Sequence, residues 1–165
     1  GSYFVTIRTK DFEPLFEIPE LRIIVNEIWK ALPQRFSSVT LDEFIFMPDH
    51  VHFIIHIEGN VEKPSSLGDV VGAFKSLASG AWLHHIKTTG MERSGRVWQG
   101  NYFERIIRDT RDLECTRQYI RDNPTRRKAK RGSAEHLQDI SKTTRAPARG
   151  MPLLYTRLFD QRGRV

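Results

Sequence analysis

Two histidines near the middle of the chain, His50 and His52, have a spacing that suits metal binding. They begin the segment 50–57 (HVHFIIHI), whose apolar alternation predicts a β-strand. Side chains at positions i and i+2 of a strand project to the same side, so the two imidazoles lie at a separation that one metal ion can bridge. The competing interpretation is a pair of polar residues on a solvated sheet face, and the spacing of an isolated His-x-His pair by itself favours it.

A tyrosine, Tyr119, is the second residue whose position could support chemistry. It lies in a helix that we expect to begin at Asp109 or Thr110 and to end at Asn123, because Pro124 follows. A spacing of four places Tyr119 and Asn123 on one stripe of this helix. The neighbouring stripe is expected to be buried and consists of Leu113, Thr116 and Ile120. The competing interpretation is a boundary tyrosine with a hydrogen-bonded hydroxyl, the commoner role of a single tyrosine.

The strands that must position these residues follow from the hydrophobic pattern. They are predicted at 3–8, 39–47 and 50–57, with a fourth inside 97–108. In the third strand one row of side chains is expected to face the helices and consists of Val51, Phe53, Ile55 and Ile57. The other side of that strand carries His50, His52, Ile54 and His56.

Two helices precede the one that carries Tyr119. The first has apolar residues from Leu21 to Leu32 at helical spacing and is expected to end at Pro33. The second begins at a capping box formed by Ser66 and Asp69. The order β-α-β-β-α-β-α predicts an α+β fold: a ferredoxin-like antiparallel sheet with helices on one face, plus an extra C-terminal helix that carries the tyrosine.

Composition and charge narrow the function classes. The chain has 165 residues, a net charge of +6 and a single cysteine, Cys115, which excludes an internal disulfide and a multi-cysteine zinc site. Eight Lys/Arg and two Asp/Glu lie in 126–149, so that segment carries the whole net charge. Such a block is typical of a solvated tail or of a segment that neutralises nucleic-acid phosphates. No apolar run is long enough to span a membrane and no signal peptide is visible, so we expect a cytoplasmic protein.

Four motifs occur together in an order that indicates a family. The segment 47–52 (MPDHVH) resembles the His-hydrophobe-His motif of the HUH endonucleases. The segments 97–104 (VWQGNYFE), 107–109 (IRD) and 119–124 (YIRDNP) resemble the rest of the REP-associated tyrosine transposases, single-tyrosine relatives of insertion-sequence transposases. The resemblance covers about residues 3–124. At one position the chain departs from the pattern, because Arg105 stands where such transposases often have histidine.

The resemblance implies metal-dependent cleavage and rejoining of single-stranded or hairpin DNA through a 5′-phosphotyrosine intermediate. Tyr119 would be the nucleophile, and His50, His52 and Asn123 would bind Mg²⁺ or Mn²⁺. A phenol is protonated at neutral pH, so it needs a polarised phosphate to attack, and a divalent cation supplies that polarisation. No small-molecule cofactor is implied. Residues 1–125 would form the nuclease domain and 126–165 a basic tail, with a possible docking segment at 151–159.

Basic residues near these motifs are candidates for DNA contacts. They are Lys75, Arg105, Arg108, Arg111, Arg121, Arg126, Arg127 and Lys128. The tail would either add phosphate contacts or, if 151–159 docks on the domain, restrain activity.

Three other functions compete with this one. A non-catalytic protein that binds DNA hairpins on the same scaffold is the main alternative. A histidine-triad nucleotide hydrolase would need a third alternating histidine where Ile54 stands. An RNA-binding ferredoxin-like module would need an aromatic RNP-type strand, and no segment fits one.

Overall fold

The strands and helices follow the predicted order along the chain. The structure is a computed structural model of the protein. It describes residues 1–60 and 64–136, and it describes side chains as far as residue 124. The elements are β1 (Ser2–Arg8), α1 (Pro19–Arg35), β2 (Val39–Met47), β3 (His50–Ile57), α2 (Leu67–Thr89), β4 (Phe103–Ile107) and α3 (Thr110–His136). Residues Gly1–Arg127 form one compact unit.

The four strands form one sheet in the order β2-β3-β1-β4, and each neighbouring pair is antiparallel. This is the ferredoxin-like arrangement, so the predicted α+β fold is confirmed. The strand with the two histidines, β3, is central and pairs with β1 and β2. A site built on β3 is therefore supported by hydrogen bonds on both sides.

One face of the sheet packs against α1 and α2. In β1, Val5 and Ile7 lie opposite Phe53 and Val51 of β3, and all four are buried in the core. The helices contribute a row of large side chains to the same core, consisting of Leu21, Val25, Trp29, Leu32, Val71, Phe74 and Trp82. The row of β3 that was expected to face the helices does so.

The opposite face is buried too, because α3 covers it. Tyr119 of α3 contacts Phe4 of β1 and His52 of β3 with its ring. His50 is 5% exposed and His52 1%, so the alternative of polar residues on a solvated sheet face is wrong. Thr116 and Ile120, from the predicted buried stripe of α3, are buried.

Local signals set the helix ends, except at two prolines. The capping box at the start of α2 is confirmed: Ser66 Oγ accepts from the Asp69 amide, and the Asp69 carboxylate accepts from the Ser66 amide. Asp109 caps α3 by accepting from the Asp112 amide. The predictions that Pro33 ends α1 and Pro124 ends α3 are wrong, since both helices continue through their proline. A proline removes one helical hydrogen bond but need not end a helix.

Among the helices of the described residues, none is long and apolar enough to cross a membrane.

Candidate functional site

The two histidines of β3 direct their Nε2 atoms toward one point. The Nε2 atoms of His50 and His52 lie 3.0 Å apart, and the ring centroids are 4.5 Å apart with the planes nearly perpendicular. The alternation of β3 puts both rings on the α3 face of the sheet. Two convergent imidazole nitrogens are a donor pair that one divalent metal ion can share.

The other nitrogen of each imidazole has its own protein partner. His50 Nδ1 is 2.7 Å from the carboxylate of Asp49, and His52 Nδ1 is 2.8 Å from the hydroxyl of Thr6. When Nδ1 carries the proton and donates it to these oxygens, Nε2 keeps its lone pair for a metal ion. Both partners hold the orientation of the rings, and both can accept the Nδ1 proton in the tautomer that a metal ligand needs.

Tyr119 lies beside this pair on the helix that covers it. Its ring is edge-on to His52, with centroids 5.8 Å apart, and edge-on to Phe4 at 6.0 Å. Phe4 also stacks on His52, with centroids 5.4 Å apart. Thus the fold brings together Tyr119 and His52, two of the residues that the sequence singled out.

Asn123 lies one turn after Tyr119 on α3. Its amide Nδ2 is buried and has no hydrogen-bond partner in the part of the chain that the structure describes. An amide can turn its oxygen to the position of its nitrogen by rotating, so it can offer a metal an oxygen ligand on that side. Among the described residues no group of three or more His, Cys, Asp or Glu side chains could hold a metal ion. Within that part of the chain, a third protein ligand beside the histidine pair would therefore be of another type, such as the amide of an asparagine.

The docking of α3 depends on a β-bulge in β2. The register shifts between Leu41 and Phe44, so Asp42 and Glu43 together oppose the single residue Ile54 of β3. A bulge turns consecutive side chains toward one face. Both carboxylates point to α3, where Arg117 binds Asp42 and Arg121 binds Glu43.

A third ion pair joins β4 to the start of α3. Arg105 donates to both carboxylate oxygens of Asp112, at 2.7 and 2.8 Å, and to the hydroxyl of Thr116. Burial by itself would raise the pKa of the Asp112 carboxyl, but hydrogen bonds from Arg105 and the Arg108 amide hold it below its usual value. Burial would likewise raise the pKa of Asp42, while Arg117 and His56 lower it and prevail. Both pairs stabilise the ionised aspartate and anchor the tyrosine helix.

The candidate DNA contacts fall into three groups. Arg105 and Arg121 have the carboxylate partners given above, and Lys75 donates to the backbone carbonyls of Gln99 and Gly100. Arg108 and Arg111 are exposed. The side chains of Arg126, Arg127 and Lys128, and the segment 151–159, lie outside the described residues. Contact of these residues with DNA stays a prediction, as does the division at residue 125.

Sequence reasoning missed the residues that orient the site. Thr6 and Asp49 hold the two imidazoles, and Asp42 and Arg117 hold the helix. The position of Asp49 immediately before the His-x-His motif was a usable signal. The pairing of Thr6 with His52 depends on the β1–β3 register, which no local pattern of the sequence contains.

Comparisons with known proteins define the class and then the family. A protein described as the REP-associated tyrosine transposase bound to a REP hairpin has a similar fold, with a TM-score of 0.53 at 18% identity, over 77% of this chain and 68% of that one. A protein described as a candidate transposase of Deinococcus radiodurans R1 is similar with a TM-score of 0.50 at 18% identity, over 74% and 89%. At 18% identity these two similarities show that the chain shares the fold of these proteins.

The family is shown by sequence. The model described as "Transposase IS200 like" matches residues 2–123, and the chain belongs to this family of IS200-like transposases. An uncharacterised protein of Haemophilus influenzae (strain ATCC 51907 / DSM 11121 / KW20 / Rd) is 33% identical over 144 residues, which cover 75% of this chain and 80% of that protein.

Proposed function

We propose that this transposase is a metal-dependent single-stranded DNA endonuclease that cleaves and rejoins DNA beside hairpin repeats, with Tyr119 as its nucleophile. The observation that carries the proposal is the placement of Tyr119 against a histidine pair whose Nε2 atoms converge. A purely structural tyrosine gains nothing from two convergent imidazoles beside its ring, whereas a phenol that attacks a phosphodiester gains from a cation that they could hold, because the cation polarises the phosphate.

The residues of the chain divide the task among them. His50, His52 and Asn123 would hold Mg²⁺ or Mn²⁺, which when bound neutralises charge on the phosphate and makes it more electrophilic. Asp49 and Thr6 keep the imidazoles oriented. The ion pairs of α3 with β2 and β4 fix the position from which the Tyr119 hydroxyl approaches.

The chemical step is a transesterification. The phenolic oxygen of Tyr119 forms a bond to phosphorus and loses its proton, and the bond from phosphorus to the 3′ oxygen of the preceding nucleotide breaks. That 3′ oxygen takes up a proton and becomes a free hydroxyl. The fragment downstream of the break stays attached to the tyrosine through its 5′ phosphate, as a phosphodiester, so the reverse reaction with a 3′ hydroxyl rejoins the strand without a nucleoside triphosphate.

Hairpin DNA is proposed as the partner for two reasons. The motifs at 47–52, 97–104 and 119–124 resemble those of REP-associated transposases, and the similar structure described above is that of a transposase bound to a REP hairpin. An unpaired strand next to a hairpin gives a tyrosine access to the phosphodiester that a duplex partner strand would otherwise restrict.

The test is a covalent-adduct assay on single-stranded hairpin oligonucleotides, labelled at either the 5′ or the 3′ end. With divalent metal, the wild-type protein should retain the 3′-labelled fragment through denaturing electrophoresis and release the 5′-labelled one. Tyr119→Phe should form no adduct, while its affinity for the same DNA stays within about threefold, because one hydroxyl is a small part of a phosphate-dominated interface.

Tyr3→Phe is the matched control, because Tyr3 packs on the opposite face of the sheet. It should form the adduct at the wild-type rate. An adduct that persists in Tyr119→Phe, or that retains the 5′ label, would refute the proposed nucleophile or the proposed polarity respectively.

A further inference from the structure

The segment 97–102 (VWQGNY), part of a motif that the catalytic site does not use, forms one wall of an open groove. The other wall is α2, and the groove has a volume of about 850 Å³. The α2 residues that line it span from Gly68 to Ser79, about 16 Å along the helix axis at 1.5 Å per residue. The groove is therefore long as well as open, which suits an extended ligand better than a compact one.

The lining of the groove is cationic and rich in hydrogen-bonding groups. Lys10, Lys75 and Arg96 line it, and no carboxylate does so among the described residues. Lys10 also pairs with the carboxylate of Asp11, 2.9 Å away, so Lys75 and Arg96 carry most of the positive charge. Gln99 and Asn101 add side-chain amides that can donate and accept.

Lys75 fixes the shape of the groove. Its ammonium donates to the carbonyls of Gln99 at 2.7 Å and Gly100 at 2.6 Å, which joins α2 to the opposite wall. Burial lowers the pKa of this ammonium. This contact fixes the spacing of the two walls, so the groove is preformed.

Small residues keep the α2 wall low. A Cβ atom built on Gly72 would meet no heavy atom within 4 Å, so a side chain placed there would extend into free space. On the other wall, Trp98 is 8% exposed and its indole N–H has no partner among the described residues.

The groove lies at the same end of the sheet as the histidine pair. The Gln99 amide donates to the carbonyl of Arg8 at 3.0 Å, and Arg8 is the register partner of His50. Gln99 and His50 are therefore two strand spacings apart across β1, about 10 Å. The histidine pair lies on the α3 face and the α2 wall on the opposite face, so a strand that contacts both must pass around this end of the sheet.

We propose that this groove binds an unpaired stretch of the DNA substrate, with Lys75 and Arg96 at its phosphates and the amides of Gln99 and Asn101 at its bases. The inference rests on the proposed function, since it places the groove on the path of the strand that Tyr119 cleaves. Successive phosphates of one strand are about 3.4 Å apart along the axis of B-form DNA and further apart in an extended single strand, so the groove accommodates a few nucleotides.

The test measures binding of the full chain to a labelled single-stranded oligonucleotide of mixed sequence, by fluorescence anisotropy without divalent metal. Gly72→Glu puts a carboxylate and its bulk into the groove. Gly80→Glu is the matched control: Gly80 lies on the same helix, has free space around its Cβ and does not line the groove. Both replacements improve helix propensity and change the net charge equally.

We expect Gly72→Glu to bind about tenfold more weakly than Gly80→Glu, the effect of one lost contact to a charged group. Its affinity should also depend less steeply on salt, by about 0.7 in logarithmic slope for each lost phosphate contact. A second pair, Arg96→Ser and Arg93→Ser, should show the same ranking without added bulk. Thermal unfolding of all four variants verifies that they are folded.

Three results would overturn the proposal. One is equal affinity of Gly72→Glu and Gly80→Glu for the strand. Another is a change of oligomeric state in Gly72→Glu with unchanged DNA affinity, which would make the groove a contact between copies of the chain. The third is no binding of the strand by the wild-type protein. If the wild-type protein formed no adduct at Tyr119 but bound the strand normally in the groove, the proposed function would be refuted and the groove would remain a DNA site.

Discussion

The ring of Tyr119 meets the ring of His52 edge to face, with centroids 5.8 Å apart, although one lies on α3 and the other on β3. The contact exists only when α3 is docked on the sheet. Since His52 is itself held by Thr6 and covered by Phe4, its own position is fixed by β1. The geometry of the site therefore depends on how α3 is anchored, more than on the local sequence around the histidines.

The histidine pair predicts a single divalent-metal site. His50→Gln and His52→Gln should each weaken Mn²⁺ binding by at least about 10-fold, since removing a ligand costs no less than removing an outer-shell partner. Isothermal titration calorimetry measures this without reference to activity. His84→Gln is the matched control, because His84 is exposed on α2. Unchanged Mn²⁺ affinity in both β3 variants would show that the histidine pair does not bind the metal ion.

Burial adds a requirement to that experiment. His52 is 1% exposed, so its replacement also perturbs packing against Phe4. Because α3 covers this face of the sheet, replacing either histidine can lower the stability of the fold as well as the metal affinity. Glutamine keeps a polar group near Thr6, and a thermal unfolding curve separates loss of the metal from loss of the fold.

Asn123 provides a second test of the same site. If its amide completes the ligand set, Asn123→Ala should weaken Mn²⁺ binding by roughly 10- to 100-fold. The replacement should leave the helix intact, because alanine is the residue that helices favour most. Gln118→Ala is the control, since Gln118 lies on the exposed side of α3. A Mn²⁺ titration equal to that of the wild type would exclude Asn123 from the ligand set.

Local patterns predicted the strands, the helices and the side of β3 that carries the histidines, but not what holds these parts together. The alternation of β3 and the Ser66–Asp69 capping box can each be recognised from a few consecutive residues of the sequence. The β-bulge at Asp42 and Glu43 does not, because a bulge is a mismatch between two strands and is visible only once their register is known. The continuation of α3 through Pro124 is another case: the steric cost of a proline is local, but whether a helix bears it depends on the rest of the structure.

The bulge predicts a separation of binding from catalysis. Asp42→Ala removes the partner of Arg117 and should slow adduct formation by roughly 10- to 100-fold, because a small displacement of the nucleophile is enough to lose that much rate. Mn²⁺ affinity should stay unchanged, since Asp42 binds Arg117 of α3 and His56, neither of which is a proposed metal ligand. The rate of adduct formation in single turnover, set beside calorimetric Mn²⁺ binding, tests both statements.

Glu43→Ala is the control for that variant. Glu43 is the adjacent residue of the same bulge, but its partner Arg121 is half-exposed, with 52% of the side chain accessible. Exposed ion pairs contribute little to stability. Glu43→Ala should therefore slow the adduct much less than Asp42→Ala. Equal effects of the two variants, or a parallel loss of Mn²⁺ affinity, would mean that Asp42 does not act by positioning α3.

Two partly buried aspartates should make the stability of the protein depend on pH in the acid range. An aspartate in an unfolded chain has a pKa of about 3.9. In the fold, burial would raise the pKa of Asp42, but Arg117 and His56 lower it further than burial raises it, and the pKa of Asp112 is lowered in the same way by Arg105 against its own burial. The folded protein thus binds fewer protons than the unfolded chain just below that pH. The stabilisation from both carboxylates is fully present above about pH 4 and is lost as the pH falls below it toward the folded-state values.

The free energy of unfolding, measured by urea titration at a series of pH values, should fall more gently with acid in Asp42→Ala than in the wild type. Identical pH dependence in the two proteins would show that the Asp42–Arg117 pair is not maintained in solution.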